Sequence, residues 1–132
     1  MSEIQSRCYI VLNKELQMPV GKAAVQVGHA MDQVWGAFCN MTSQPTMSLL
    51  GNLKYMEDFS KWKDEGRKKV TLGAKNDAEV QKYKDKLLDA GYTVFDIVDY
   101  GINFFDGVTR TGIVVFPVLN AIPELKRLQV FK

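Results

Sequence analysis

At 132 residues, with 46% hydrophobic and 24% charged side chains, the chain has the size and composition of one globular domain, expected to span residues 1–132. Seventeen lysines and arginines against fifteen acidic residues give a net charge of +2, so affinity for nucleic acid has to come from a local patch. The longest apolar runs, such as Gly112 to Leu119, fall far short of the roughly 20 residues that cross a bilayer, and Cys8 to Leu12 is too short for a secretory signal, which predicts a cytoplasmic protein without a membrane segment.

Cys8 to Leu12 is a β-rich run closed by Asn13, Lys14 and Glu15, and reads as the first strand. Pro19 fixes φ where the next element begins, and from Gly21 to about Phe38 the chain carries no breaker except Gly28 and Gly36, which predicts a long, mostly buried helix. Asn40 to Asn52, with Pro45 and Gly51, reads as a loop. Tyr55, Phe59 and Trp62 recur at helical spacing before Gly66 and predict a second helix of about ten residues, followed by a strand from Lys69 to Leu72. Asn76 and Glu79 have the spacing of an N-cap and its capping-box partner. Val80, Tyr83, Leu87 and Leu88 make the inner stripe of that helix, and Gly91 ends it. Tyr92 to Val98 and Thr111 to Val118 complete the set as third and fourth strands.

The resulting order, β-α-α-β-α-β-β, is that of a layered α/β domain with right-handed crossovers. Asp99 to Arg110 is too short to hold a crossover helix, so the last two strands are expected to form a wide hairpin, giving a mixed sheet. Cys8 and Cys39 lack the spacing of a metal knuckle or redox pair, and a single histidine rules out a His-rich centre. Reduced thiols, no metal and no cofactor are expected.

Two segments stand out chemically. On the first helix, Lys22, Gln26 and His29 share a polar stripe about 60° wide beside the apolar stripe of Ala23, Val27, Ala30 and Val34. Such a stripe either faces water or lines a site at the sheet edge. Lys22 lies in the first turn, where free N–H groups favour an anion and a lysine weakens the helix slightly, a poor choice for stability and a sensible one for gripping an oxyanion or phosphate. The second segment is Asp99-Tyr-Gly-Ile-Asn103 through Thr109-Arg-Thr111, a loop leaving one strand end, where open α/β sheets bind ligands. Read structurally, Asp99 is an Asx-turn residue, Gly101 and Gly107 supply positive φ, and Thr111 is simply a strand residue.

Gly21-Lys-Ala-Ala-Val-Gln-Val-Gly-His-Ala30, preceded by a strand and the Met18-x-x-Gly-Lys turn, resembles the first-helix signature of the type II peptidyl-tRNA hydrolases. Trp62, Gly66 and Lys68-Lys-Val-Thr-Leu72 are similar to the family's tryptophan, glycine and second strand. Asp99-Tyr-Gly101, Thr109-Arg-Thr111 and Pro117 resemble its second signature. The likeness covers nearly the whole chain and implies an α/β/α sandwich with a four-stranded mixed sheet, and hydrolysis of the ester joining a peptide to the 3′ end of tRNA without a metal. The chain departs from the pattern at Ile102-Asn103, where the family has Arg-Thr, at Phe104-Phe105, at Asp106-Gly107-Val108 in place of Pro-Pro-Gly, and in a longer segment from Phe38 to Phe59.

The resemblance places Lys22, Gln26, Asp99 and Thr111 in the active site. Asp99 is the expected base and Lys22 the group that stabilises the oxyanion or holds the terminal phosphate. Thr111 and Gln26 orient the water or carbonyl, and Asn103 stands in for a threonine as a donor. His29 and Thr109 are expected on the substrate, and the tRNA body against Lys61, Lys63, Arg67, Lys68 and Lys69, a patch diluted by Asp64 and Glu65. The partner is tRNA, no membrane is involved, and a homodimer is left open. Three rival readings remain: a plain Lys22–Asp99 salt bridge, an inactive relative that binds RNA or protein, and a hydrolase of another acyl or amide bond.

Overall fold

Every residue of the first strand, β1 (Cys8–Asn13), is buried. Its side chains alternate between two separate cores, as the twofold period of a strand requires. Cys8, Ile10 and Leu12 join Ala30, Val34, Phe59, Trp62, Ile97 and Phe116. Tyr9 and Val11 join Leu72, Val80, Tyr83, Leu87, Ile113 and Ile122. A strand apolar on both faces has to be sandwiched, and helices α1 (Val20–Ser43) and α2 (Leu49–Asp64) supply one layer while α3 (Asp77–Asp89) supplies the other. The computed structural model describes residues 4–43, 49–101 and 105–132.

The remaining strands are β2 (Lys69–Ala74), β3 (Val94–Asp99), β4 (Thr109–Val115) and β5 (Gln129–Val130). Their order across the sheet is β3-β4-β1-β2-β5. β1 and β2 are parallel, with Cys8 opposite Lys69 and Asn13 opposite Ala74. β4 is antiparallel to both β1 and β3, so the expected hairpin and mixed sheet are present. The sheet has five strands rather than four. The fifth is two exposed residues that pair with Leu72 and Gly73, and a segment this short carries no alternation from which to read a strand.

Other boundaries shift for stated reasons. The first helix continues past Phe38 to Ser43 and the second begins at Leu49, so the predicted loop from Asn40 to Asn52 is largely helical where described. Phe38 stacks on Phe59 of α2 with ring centroids 4.1 Å apart, and this packing outweighs the weak propensity of the polar residues that follow. The third strand starts at Val94 rather than Tyr92, because the Tyr92 amide still closes the α3 terminus on the Leu87 carbonyl. β4 starts two residues earlier than expected and stops at Val115, while Val118 pairs only with Arg7. Where β4 crosses β1, a Cβ on Gly112 would collide with the Val11 backbone carbonyl, so this position has to be glycine. The expected N-cap holds, with the Asn76 side chain accepting from the Glu79 amide at 2.9 Å, while the Glu79 carboxylate reaches one residue beyond the capping-box position and accepts from the Lys75 amide.

Candidate active site

β1, β2 and β3 run in one direction, so Asn13, Ala74 and Asp99 end on the same edge of the sheet. Thr109, the first residue of β4, lies opposite Asp99. α1 starts beside this edge, and its polar stripe meets the strand ends rather than water. The Lys22 ammonium lies 2.9 Å from Asp99 Oδ2. The Gln26 amide donates to the same oxygen at 3.0 Å, and its other hydrogen reaches the Lys22 carbonyl at 3.4 Å. His29 Nε2 is 3.4 Å from that oxygen too. Thr111 donates to Gln26 Oε1 at 2.8 Å, which fixes the amide with its nitrogen toward Asp99. The Gly101 amide donates to Asp99 Oδ1 at 2.7 Å, the Asx turn anticipated at this residue.

Gln26, Asp99 and Thr111 are buried, and all three lie behind Lys22 and the half-exposed His29. Burial works against the Asp99 charge. It is outweighed by the hydrogen bonds from Gln26, Gly101 and Lys22 and by the Lys22 charge, which together hold the carboxyl well below the usual carboxylate range. Asp99 is therefore ionised at neutral pH and, with donors on both oxygens, is a weak proton acceptor by itself. The arrangement offers a fixed anion, an ammonium at the mouth whose outer side faces the Phe105 ring at 5.3 Å, and an imidazole open to solvent. Among the described residues, no three His, Cys, Asp or Glu side chains come together as a metal site would need.

Lys22, Gln26, His29, Asp99 and Thr111 are thus brought together. Thr109 lies at the rim, with its hydroxyl on the Gly107 carbonyl at 3.1 Å. Asn103, together with Ile102 and Phe104, falls outside the described residues. Lys68 and Lys69 are not at this site. They enter β2 at its amino end, five residues or roughly 17 Å before the edge that carries Asp99, and the Lys69 ammonium is occupied by the Arg67 carbonyl. Arg110, between the two threonines, points to the opposite layer and joins Asp77, Gln81 and Asp96 in a network that pins α3 to the sheet.

Sequence reasoning passed over the cations that do share the active edge. Lys14 and Lys75 directly follow the ends of β1 and β2, and Arg127 shortly precedes β5. The available signal was a basic residue immediately after a strand; only the strand order shows that these ends are neighbours.

A family model described as Peptidyl-tRNA hydrolase PTH2 matches residues 6–123. A peptidyl-tRNA hydrolase of Pyrobaculum aerophilum is 26% identical over 108 residues, covering 82% of this chain and 81% of that protein. The matched span contains the whole constellation from Lys22 to Thr111, and the chain belongs to the peptidyl-tRNA hydrolase PTH2 family.

Proposed function

We infer that this protein hydrolyses the ester that joins a peptide, or an N-blocked aminoacyl group, to the 3′ end of tRNA. The observation that carries the reading is the buried Asp99 carboxylate bound on one oxygen by Lys22 and Gln26, with His29 in reach of the same atom. Ester hydrolysis needs a water, a proton acceptor and a positive group for the oxyanion. Lys22 fills the last role, its charge held at the mouth by Asp99. Asp99 and His29 act as the base as a unit: the imidazole takes the proton from water while the carboxylate stabilises the imidazolium. The hydroxide adds to the ester carbonyl carbon, the bond to the ribose oxygen breaks, and the same proton passes to that oxygen, leaving a free acid and tRNA. Thr111 acts through Gln26, whose orientation it sets, and Asn103 and Thr109 are proposed contacts for the substrate. Lys68 and Lys69 are proposed contacts for the tRNA body. The proposed setting is the cytoplasm, with one domain over residues 1–132; among the described residues no helix is long and apolar enough to cross a membrane.

Incubating the purified protein with peptidyl-tRNA and with unblocked aminoacyl-tRNA, with a chelator present, tests the reading. Release of tRNA from the first substrate in preference to the second is expected. Binding without release would identify an inactive RNA-binding relative instead.

A further inference from the structure

Exposed apolar side chains flank, along the chain, the segments that supply this ionic centre. Among the described residues, the three most exposed large apolar side chains are Val20 at 89%, Tyr100 at 75% and Val108 at 67%. Val20 lies two residues before Lys22, Tyr100 directly follows Asp99, and Val108 directly precedes Thr109. Single exposed apolar residues need no explanation, but Tyr100 presents a ring that a base can use, since it directly follows Asp99 at the end of β3. Tyr100 in particular leaves an aromatic ring in water beside the group that anchors the catalytic lysine.

The same sheet edge continues into a depression of about 470 Å³ lined by Lys14, Lys75, Arg127 and Gln129. The strand order places its parts in a row: Asp99 on β3, Thr109 on β4, then Lys14 after β1, Lys75 after β2 and Arg127 ahead of β5. With neighbouring strands about 4.8 Å apart, the three cations begin one strand beyond β4 and end roughly 14 Å from it. Lys14 is laid along the floor, because a Cβ on Gly73 would meet Lys14 Cδ at 2.6 Å and Cγ at 2.9 Å; the glycine leaves room for the stem. Glu15 and Glu79 also line the depression, and one oxygen of Glu79 is committed to the Lys75 amide. Among the described residues, no ion pair engages Lys14, Lys75 or Arg127.

We propose that this edge is the docking surface for the single-stranded 3′ end of tRNA, with Tyr100 stacked on the terminal base and Lys14, Lys75 and Arg127 on the phosphates of the nucleotides that precede it. An exposed aromatic joined to a line of cations is the pairing that single-stranded nucleic acid requires, a π-face for the base and charge for the backbone. The assignment rests on the hydrolase reading and says where its substrate lies. It puts the 3′ end of the RNA on the carboxyl edge of the sheet and leaves Lys68 and Lys69, at the other edge, to the tRNA body.

The experiment compares full peptidyl-tRNA with a minimal ester, N-acetyl-aminoacyl-adenosine, which has the terminal base and no phosphate track. Wild type, Tyr100→Ala, Tyr100→Phe and the triple variant Lys14→Ala/Lys75→Ala/Arg127→Ala are assayed over a range of salt. Tyr100→Ala should raise KM for both substrates about tenfold, and Tyr100→Phe should restore it. For the triple variant, the ratio of kcat/KM on tRNA to that on the minimal ester should fall about tenfold at low salt. The slope of log kcat/KM against log salt should become shallower by about 2. A triple variant with the wild-type ratio and slope overturns the phosphate track. A Tyr100→Ala variant that only reorders preference among acyl groups overturns the stacking, because the rim then serves the peptide. If wild type cleaves neither ester, the hydrolase reading itself fails. The surface is then judged by binding of deacylated tRNA to the same variants, where unchanged affinity of the triple variant overturns it.

Discussion

Asp99 pairs with Lys22 and, in the proposed mechanism, also supports the base, and its substitution separates the two roles. In Asp99→Asn the shape survives but the charge that holds Lys22 and stabilises a protonated His29 is gone, so turnover should drop about 100-fold or more. Because Lys22 reaches the mouth and can turn to water, the stability loss should stay below the roughly 3 kcal/mol of a fully buried broken pair. Deacylation and melting temperature measured on the same sample check both, and an active variant would remove Asp99 from the chemistry. The acid dependence has a definite sign. The folded state depresses the Asp99 pKa, so its contribution is complete above the unfolded carboxylate value of about 3.9 and is lost as pH falls toward the folded one. The stability gap between wild type and Asp99→Asn should therefore close below about pH 4, and a gap that persisted in acid would contradict the depressed value. Thr111→Val leaves Gln26 Oε1 buried without its donor and frees the amide to turn. A stability cost of about 1–3 kcal/mol and a loss in kcat with little change in KM are expected; unchanged kcat would reduce Thr111 to a core residue.

At the level of elements, the site depends on how α1 is held against the end of β3, and two positions away from it control that fit. Gly112→Ala forces a methyl group into the Val11 carbonyl, parting β4 from β1 one residue from Thr111. It should destabilise by several kcal/mol, on the order of the larger single-residue effects, and a normal urea midpoint would show that the strands can separate at no cost. Asn76→Ala removes the α3 cap on the opposite face, which touches none of Lys22, Gln26, His29, Asp99 and Thr111. About 1 kcal/mol of stability should be lost with kcat/KM on the minimal ester intact, so this variant calibrates how much activity follows from destabilisation alone.

Over the whole molecule, the basic residues divide between the two edges of the sheet, and salt dependence tells the edges apart. Lys68→Ala/Lys69→Ala should flatten the salt slope of tRNA binding by less than the carboxyl-edge triple variant does, since Lys69 already serves the Arg67 carbonyl over the Trp62 ring. A larger effect at Lys68 and Lys69 would turn the RNA around. The same division shows what the sequence by itself determined. The 100° step of a helix puts Lys22, Gln26 and His29 on one stripe, and unbroken apolar runs in β1 and β4 require layers on both sides, so the α/β sandwich and half of the site were legible without coordinates. The meeting of that stripe with Asp99, 73 residues away from Gln26 in the chain, was expected from family likeness rather than from spacing, since no local rule brings them together. Strand order decided the rest: it joined Lys14, Lys75 and Arg127 to the edge that carries Asp99 and sent Lys68 and Lys69 to the other. It is fixed by long-range pairing and by which faces bury together, quantities that belong to the folded chain and leave no mark in any short window of its sequence.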